Sequence, residues 1–248
     1  MSSGITTPLR TLAFGDIATG VWGCAWGDAA PLLAVGKPEP GAPLPGAPAS
    51  IGGSGPDEEW TVSGDGVELV VSPETDAAPS SAIAGFDQLC RVHGTALIDG
   101  AKREFELSGH RSSRVDLDLR RFESVRDISA WFAPGDGIAL TSLRPRGAKG
   151  HDRDVIAASV FEPAGPVLVA DPRLSTTYAA DGHPTRVGLE LWLDREDSEE
   201  QYPRRAAAEP LGAAAAWAQS ALELDAYFLR CLSRGEEGLG VYVLGRTR

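Results

Sequence analysis

Apolar residues along the chain recur in short runs with the two-residue period of β-strands, and turn residues separate the runs. Several neighbouring runs are joined by turns in which aspartate and glycine are adjacent. Such turns predict β-hairpins, because both residues accept a positive φ. The predicted hairpins are 60–71 with a turn at Gly64-Asp65-Gly66, 90–107 with a turn at Asp99-Gly100, 128–143 around 134–137, and 224–246 at the end.

Two other stretches add to this pattern. Residues 115–120 alternate between apolar and charged side chains, which predicts a strand with one buried face, and 187–193 show the same alternation. An alanine-rich segment near the end is ambiguous, because alanine favours a helix whereas Pro210 and Gly212 interrupt one. At most one short helix is therefore predicted, near 213–221.

Glycine and proline set the predicted domain organisation. The chain has 29 glycines and 18 prolines, which suits many short strands joined by tight turns better than a helical bundle. Residues 37–59 are so rich in both that they predict a long surface loop or linker. We predict an all-β fold of two packed antiparallel barrel or sandwich units. A reduced N-terminal unit over 1–85 includes this loop, and a β-barrel occupies 86–248.

The charge balance restricts the partners that the protein can have. Acidic residues outnumber basic ones by 35 to 23, for a net charge of -12, and no segment clusters basic and aromatic residues as nucleic-acid surfaces do. No run of about 18 apolar residues predicts a membrane span, and residues 1–16 lack the features of a secretory signal. We expect a cytoplasmic protein without a nucleic-acid partner, and the sequence leaves its oligomeric state open.

One candidate site is the corner between two predicted strands, where His110, Arg111 and Arg114 lie close to Asp116 and Asp118. A histidine held by a carboxylate can act as a general acid or base near neutral pH, and an arginine can polarise a carbonyl group. We therefore take His110 and Arg111 as candidate catalytic residues. In the structural alternative, Arg111 or Arg114 pairs with Asp116 or Asp118 and ties neighbouring strands together.

A second candidate site lies near the C-terminus. Asp225 and Tyr227 are two residues apart, so a strand places both on one face. If that face points into a barrel, aromatic walls would desolvate the carboxyl group and raise its pKa, and the acid could then protonate an alkene. We take both residues as candidate catalytic groups, with a solvent-facing strand edge as the alternative.

Aromatic side chains supply the candidate ligand-binding residues. Their ring faces can line an apolar pocket and stabilise a developing positive charge, although most aromatic residues of such a chain belong to its core. The predicted ligand-binding set is Trp22, Trp131, Tyr178, Trp192 and Tyr242.

Motifs for metals and cofactors are missing from the sequence. The three cysteines form no CxxC pair and the four histidines show no HExxH spacing, so we predict neither a zinc site nor a disulfide framework. The sequence has no P-loop, no GxSxG elbow and no GxGxxG between a strand and a helix. These absences argue against NTPases, α/β-hydrolases and dinucleotide enzymes. We predict that the protein uses no metal and no cofactor.

Two segments of the chain resemble a known family. Gly94, Asp99-Gly100, the corner 108–113 and the turn at Asp136-Gly137 are similar to the tandem lipocalin-like proteins, which include carotenoid 1,2-hydratase (hydroxyneurosporene synthase), tocopherol cyclase and AttH-like proteins. The hairpin 228–246 looks like the closing hairpin of the same family. Where the family corner tends to carry histidine, serine, tryptophan and glycine, this chain has Arg-Ser-Ser-Arg.

The resemblance implies two lipocalin-like β units that enclose an apolar cavity, which some family members use to cyclise or hydrate isoprenoid-like molecules. The leading hypothesis is therefore a protein that binds a hydrophobic or polycyclic small molecule in a barrel. The chemistry that it would perform is cofactor-free cyclisation, isomerisation or hydration by acid–base catalysis. The alternative is a β-rich binding or structural module without catalytic activity.

Overall fold

A computed structural model describes residues 8–27, 31–37, 43–80, 82–150, 153–194, 202–219 and 222–247, without the side chains of 212–214, 217–219 and 222. The first strands are β1 Leu9–Asp16, β2 Val21–Gly27, β3 Leu32–Gly36, β4 Leu44–Pro45, β5 Ala47–Pro48, β6 Ser50–Gly52, β7 Trp60–Gly64, β8 Val67–Pro73, β9 Ala78–Ser80, β10 Gly85–Ile98 and β11 Ala101–Arg114. A 3₁₀ turn at Leu119–Arg121 precedes the remaining strands. These are β12 Phe122–Trp131, β13 Gly137–Pro145, β14 Val155–Glu162, β15 Gly165–Tyr178, β16 Pro184–Leu193, β17 Arg204–Gln219, β18 Leu222–Ser233 and β19 Glu236–Thr247.

The second unit is a closed barrel of eight antiparallel strands. Each strand from β12 to β19 pairs with the next one along the chain, and β19 pairs back with β12. Closure leaves no free edge, as in other up-and-down barrels. Inward-pointing side chains form one apolar cluster that includes Ile138, Leu140 and Leu229. Packed side chains therefore fill the middle of this barrel.

The first unit is a nearly closed antiparallel barrel. Its strand order is β5-β3-β2-β1-β11-β10-β8-β7-β6, with β9 beside β10, and Phe14, Trp60 and Phe105 pack in its interior. Within 37–59, predicted as a loop or linker, β5 and β6 extend the first sheet and β4 pairs with β17 of the second. The chain passes from the first sheet to the second after β11, whereas the predicted boundary between the two units lies after residue 85.

The hairpin turns confirm the reasoning from aspartate and glycine. Asp65 and Gly66 have φ values of 45° and 75° between β7 and β8, and Asp99 and Gly100 have values of 54° and 75° between β10 and β11. Consecutive positive φ angles match the right-handed twist of the flanking strands. Short aspartate-glycine turns therefore fix the register of long strand pairs in this protein.

The strand predicted over 115–120 is wrong. After β11 the chain leaves the first sheet, and Asp116 adopts a φ of 56°. Asp118 then accepts a hydrogen bond from the backbone N–H of Arg120 and caps the 3₁₀ turn. Leu117 is one of the apolar residues that pack against the core between the barrels. The alternating pattern thus belongs to a linker with one side against the core.

The short helix that the sequence allowed near 213–221 is not formed by the described residues, so the prediction of an all-β fold with at most one short helix is confirmed. β17 extends through Gln219 and pairs with both β16 and β18. Its ladder shifts register between Pro210 and Ala214, as expected at a proline within a strand. Helix propensity contributes only tenths of a kcal/mol per residue. Over 214–219, pairing with β18 and, at Ala215 and Ala216, with β4 outweighs this preference.

A third apolar cluster joins the two barrels. Trp22 of β2 and Phe228 of β18 contact each other with ring centroids 4.9 Å apart. The Trp131 indole N–H of β12 donates to the Gly15 carbonyl at 3.3 Å. All three aromatic residues are buried. The barrels therefore share a core instead of meeting at a polar interface.

Candidate functional site

One end of the second barrel is open and polar. β12 begins at this end, whereas β13 and β19 finish there. A cavity of about 520 Å³ lies at this end and is lined by side chains that include Ser124, Arg126, Arg144, Tyr178, Leu244 and Arg246. Residues of the same strands two or four positions deeper pack in the barrel interior, so these side chains point inward. We call this region the barrel mouth.

Hydrogen-bonded aromatic side chains lie beside the barrel mouth. The Tyr227 hydroxyl and His183 Nδ1 are 2.8 Å apart, and the hydroxyls of Tyr178 and Tyr242 are 3.2 Å apart. The rings of Tyr227 and Tyr242 have centroids separated by 6.2 Å. Tyr178 and His183 are exposed, whereas Tyr227 and Tyr242 are buried. The group therefore links solvent to the barrel interior through polar atoms.

The environment keeps the buried phenols protonated. Burial, together with the negative charge of Asp225, raises the pKa of Tyr227 to about 12. Burial and the neighbouring Tyr178 also raise the pKa of Tyr242. Each phenol is therefore a hydrogen-bond donor at neutral pH and can stabilise charge that develops on a ligand oxygen.

Asp225 lies on the same strand face as Tyr227, as the alternation on β18 predicts. Its environment differs from the apolar one assumed for an acid. Asp225 Oδ2 accepts a hydrogen bond from Arg246 Nη1 at 2.8 Å, and its side chain is 23% exposed. An ion-paired carboxylate of this kind is suited to orienting Arg246 at the barrel mouth.

The other two arginines of the barrel mouth also face carboxylates. Arg126 Nη2 donates to Ser142 Oγ at 2.9 Å and pairs with Asp154. Arg144 pairs with Glu123 at 2.6 Å. Three guanidinium groups are thus held in place by acidic partners around one opening. They present fixed N–H donors without giving the opening a large net charge.

Arg111 lies inside the first barrel, remote from the barrel mouth. Its guanidinium donates twice to Gln88 Oε1, at 2.8 and 3.0 Å. It also donates to the carbonyls of Pro56 and Glu58, at 2.6 and 2.7 Å. The same group lies 4.9 Å from the ring centroid of Trp60. Each of these contacts holds the first barrel and its 56–58 segment together.

His110 points to the opposite side of β11, into a polar cluster between the barrels. Asp87 accepts a hydrogen bond from Arg114 Nη2 at 2.6 Å and another from Ser159 of the second barrel at 3.0 Å. His110 Nε2 lies 3.4 Å from Asp87 Oδ1. Arg114 also donates to Thr141 of the second barrel at 3.0 Å. All five residues are buried.

In the structural alternative for this corner, an arginine forms an ion pair that ties neighbouring strands together. Such an ion pair is present, but its acidic partner is not one of those predicted. Arg114 forms an ion pair, but with Asp87 instead of the predicted Asp116 or Asp118. Asp118 instead pairs with Arg120 at the surface. Sequence proximity suggested the wrong partners, because the antiparallel register of β10 and β11 brings Asp87 beside this corner.

Three solved structures resemble the whole chain. AttH (NE1406) from Nitrosomonas europaea matches with a TM-score of 0.64 and 10% identity, over 98% of this chain and 93% of that one. CghA matches with a TM-score of 0.60 and 10% identity, over 98% and 88%. Kievitone hydratase from Nectria haematococca matches with a TM-score of 0.57 and 7% identity, over 98% and 89%. No family model and no curated protein sequence matches the chain.

The chain has the tandem lipocalin-like fold. The likeness covers both barrels, so the resemblance inferred from the strand corner and the closing hairpin is confirmed for the fold. At 7 to 10% identity the likeness concerns architecture alone.

The tandem lipocalin-like fold distributes the predicted aromatic residues over three places. Tyr178 and Tyr242 meet at the barrel mouth. Trp22 and Trp131 belong to the core between the barrels. Trp192 lies on the outer face of β16, where its indole N–H donates to Glu190 at 3.0 Å. The structure therefore unites two of the five predicted ligand-binding residues with Asp225 and Tyr227.

Sequence reasoning missed His183 and the arginines of the barrel mouth. His183 follows a turn at Asp181-Gly182, and only the tertiary fold brings it to Tyr227. Arg126 and Arg144 lie on the paired strands β12 and β13, and only the closure of the barrel through β12 and β19 brings Arg246 beside them. Within the described residues, no three His, Cys, Asp or Glu side chains are grouped to hold a metal, and no helix could cross a membrane.

Proposed function

We propose that the barrel mouth binds a hydrophobic or polycyclic small molecule through an oxygen-bearing end of the ligand. The observation that carries this proposal is the cavity of about 520 Å³ beneath Tyr178 and the mouth arginines. Ligand sites in barrels usually lie at their mouths, with a few polar groups that fix orientation. Because side chains fill the middle of the barrel, the ligand would enter only part of the way.

The chemistry that we propose is cofactor-free cyclisation, isomerisation or hydration by proton transfer. Tyr227 is the candidate acid and His183 its relay to solvent, since the two are hydrogen-bonded and His183 is exposed. A protonated His183 would pass a proton to the Tyr227 oxygen as the Tyr227 hydroxyl releases its own proton to the ligand. Asp225 would orient Arg246. The name of the similar kievitone hydratase agrees with this reaction class.

Binding without catalysis is the second candidate function. Tyr227 is buried and is not among the residues that line the cavity, and its pKa of about 12 makes it a weak proton donor to a carbon atom. A phenol of this kind still donates a hydrogen bond to a carbonyl or hydroxyl oxygen. The two candidates share one site and differ in whether the ligand changes chemically.

Binding at the barrel mouth can be measured as thermal stabilisation. We expect kievitone, or another hydrophobic or polycyclic compound, at about a hundred times its Kd to stabilise the native state by about 2.7 kcal/mol. This corresponds to a rise in Tm of several degrees for a protein of this size. The Tyr178→Ala protein should lose the shift, because Tyr178 lines the cavity and caps Tyr242.

Tyr202→Ala is the matched control, since Tyr202 is 77% exposed and is not among the residues that line this cavity. An equal shift in the wild type and in Tyr178→Ala would place the ligand elsewhere. No shift with any compound of this class would contradict the proposed function.

Catalysis and mere binding differ in their response to Tyr227→Phe. This change removes one hydroxyl and keeps the ring. If Tyr227 transfers a proton, turnover of a ligand found by thermal shift should fall about 10²-fold or more with little change in affinity. The product is followed by mass spectrometry, which detects added water or an unchanged mass with an altered retention time. If wild type and variant convert the ligand equally, Tyr227 is not the acid.

A further inference from the structure

A groove of about 530 Å³ crosses the outer face of the second barrel and shares no lining residue with the cavity at the barrel mouth. Ser175, Gly188, Ala207 and Leu232 stand in one row across β15, β16, β17 and β18, because they pair successively in register. Adjacent strands lie about 4.8 Å apart, so the row is roughly 14 Å long. Its residues are small except at the Leu232 end. The row therefore forms the floor of the groove.

Arginines line the groove on its sides. Arg186 and Arg205 lie two residues from Gly188 and Ala207, hence on the same outward face, and Arg234 lies in the turn after β18. All three line the groove, and no carboxylate side chain does so among the described residues. This local excess of positive charge stands out in a protein with a net charge of -12.

The arginines can turn toward a ligand at little cost. Arg205 pairs with Glu190 at 3.2 Å and Arg234 with Glu162 at 3.0 Å, with the arginine side chains 73% and 49% exposed. Ion pairs this exposed contribute at most about 1 kcal/mol. Arg186 has no ion-pair partner within the described part of the chain. A planar guanidinium matches the geometry of phosphate and carboxylate groups.

Hydroxyl and apolar groups complete the groove. Ser175 and Thr177 lie on the same outward face as the arginines; Thr177 adds a hydroxyl, whereas the Ser175 hydroxyl donates to the Gly188 carbonyl at 3.3 Å. Leu232 is an apolar side chain that remains 50% exposed, which leaves it free to contact the non-polar part of a ligand. The groove thus offers an anion site next to an apolar contact.

We propose that this groove binds an oxyanion, a phosphate or carboxylate group, carried by a small molecule whose apolar part packs on Leu232. This site is separate from the barrel mouth and does not depend on the function proposed there. Tyr178→Ala, which tests the barrel mouth, should leave binding in the groove unchanged.

Hexyl phosphate is the probe for the test, with inorganic phosphate as the comparator that lacks an alkyl chain. Calorimetric titration at low ionic strength should give saturable binding of hexyl phosphate to the wild-type protein. Arg186→Gln and Arg234→Gln should each weaken it about tenfold, the size expected for one charge-assisted hydrogen bond. Leu232→Ser should remove most of the preference for hexyl phosphate over inorganic phosphate, because the buried alkyl contact is lost.

Arg103→Gln is the control, since Arg103 is an exposed arginine on β11 of the first barrel. Vesicles with and without phosphatidylserine form a second arm that distinguishes the source of the oxyanion. Vesicle binding that requires phosphatidylserine and disappears in Arg186→Gln would support the same chemistry with a lipid headgroup. The proposal is overturned if neither probe binds, or if Arg186→Gln and Arg234→Gln bind hexyl phosphate as tightly as Arg103→Gln.

Discussion

Replacing Arg111 with methionine should lower the free energy of unfolding by about 3 kcal/mol or more. The guanidinium is fully buried and donates to Gln88 Oε1 and to the carbonyls of Pro56 and Glu58, while it stacks on Trp60. Methionine fills a similar volume but donates nothing. The buried Gln88 Oε1 left without a partner costs about 1–3 kcal/mol, and the hydrogen bonds to the partly buried carbonyls of Pro56 and Glu58 are lost as well. Urea unfolding at an unchanged m-value measures the loss.

Two further variants show which property of Arg111 causes the loss of stability. Arg103→Met changes an exposed arginine of the same strand and should stay within about 0.5 kcal/mol of the wild type. Arg111→Lys keeps the charge but cannot reproduce the planar set of donors, so its loss should be intermediate. A loss below about 0.5 kcal/mol in Arg111→Met would show that the 56–58 segment is held by other contacts.

The strands of this fold could be predicted because their signals are local. Asp99-Gly100 and Asp65-Gly66 determine two hairpins through their own backbone preferences. The alternation predicted over 187–193 is present in β16, where the apolar residues face the barrel interior. Closure of the second barrel could not be predicted in this way, because it depends on pairing between β12 and β19, far apart in the chain.

The alternation over 115–120 shows the limit of a periodic pattern. Two-residue periodicity reports only that one side of a segment contacts a core. A linker that lies on the inter-barrel core satisfies the same condition without a strand partner. The helix considered for the alanine-rich part of β17 does not form for a related reason, because propensities measured in isolated helices omit the pairing of this part with β18 and β4.

The residues of one candidate site share a strand face and those of the other do not, because successive side chains of a strand point to opposite faces. Asp225 and Tyr227 are two residues apart, so the strand face that they share could be predicted. His110 and Arg111 are consecutive, and alternation sends them to opposite faces of β11. They enter the space between the barrels and the first barrel, respectively. Adjacent polar residues on a strand therefore should not be assigned to one active site.

Replacing Asp87 with alanine should cost about 3–5 kcal/mol at neutral pH. Arg114 would then keep a buried charge without its carboxylate, and removal of one partner from a buried pair costs this much. The variant should also weaken the contact between the barrels, because Asp87 accepts a hydrogen bond from Ser159 and Arg114 donates one to Thr141. Urea unfolding gives the loss, and a separate transition for one barrel would reveal weakened coupling.

The pH dependence of this loss has a definite sign. Burial opposes ionisation of Asp87, but Arg114 and His110 outweigh it and hold the pKa of Asp87 below its usual range. The carboxylate therefore contributes stability above its unfolded pKa of about 3.9, and this contribution fades as the pH falls toward the folded value. The difference between wild type and Asp87→Ala should shrink below about pH 4. A constant difference across this range would contradict the ion-pair interpretation.

Asp127→Asn tests the same polar cluster, but here the pH dependence of stability has the opposite sign. Burial raises the pKa of Asp127, with a further rise from Asp87 that Arg114 and His110 oppose. Folding then favours the protonated acid, so the stability contributed by Asp127 is present below its unfolded pKa and falls as the pH rises through the folded one.

The asparagine amide oxygen can accept the hydrogen bond that Thr141 donates to Asp127 at 3.3 Å. Asp127→Asn should therefore match the wild type in acid and exceed its stability at neutral pH, because only the wild type has a carboxyl group whose ionisation favours the unfolded chain. Lower stability than the wild type at neutral pH would mean that the cluster requires the Asp127 charge to balance Arg114.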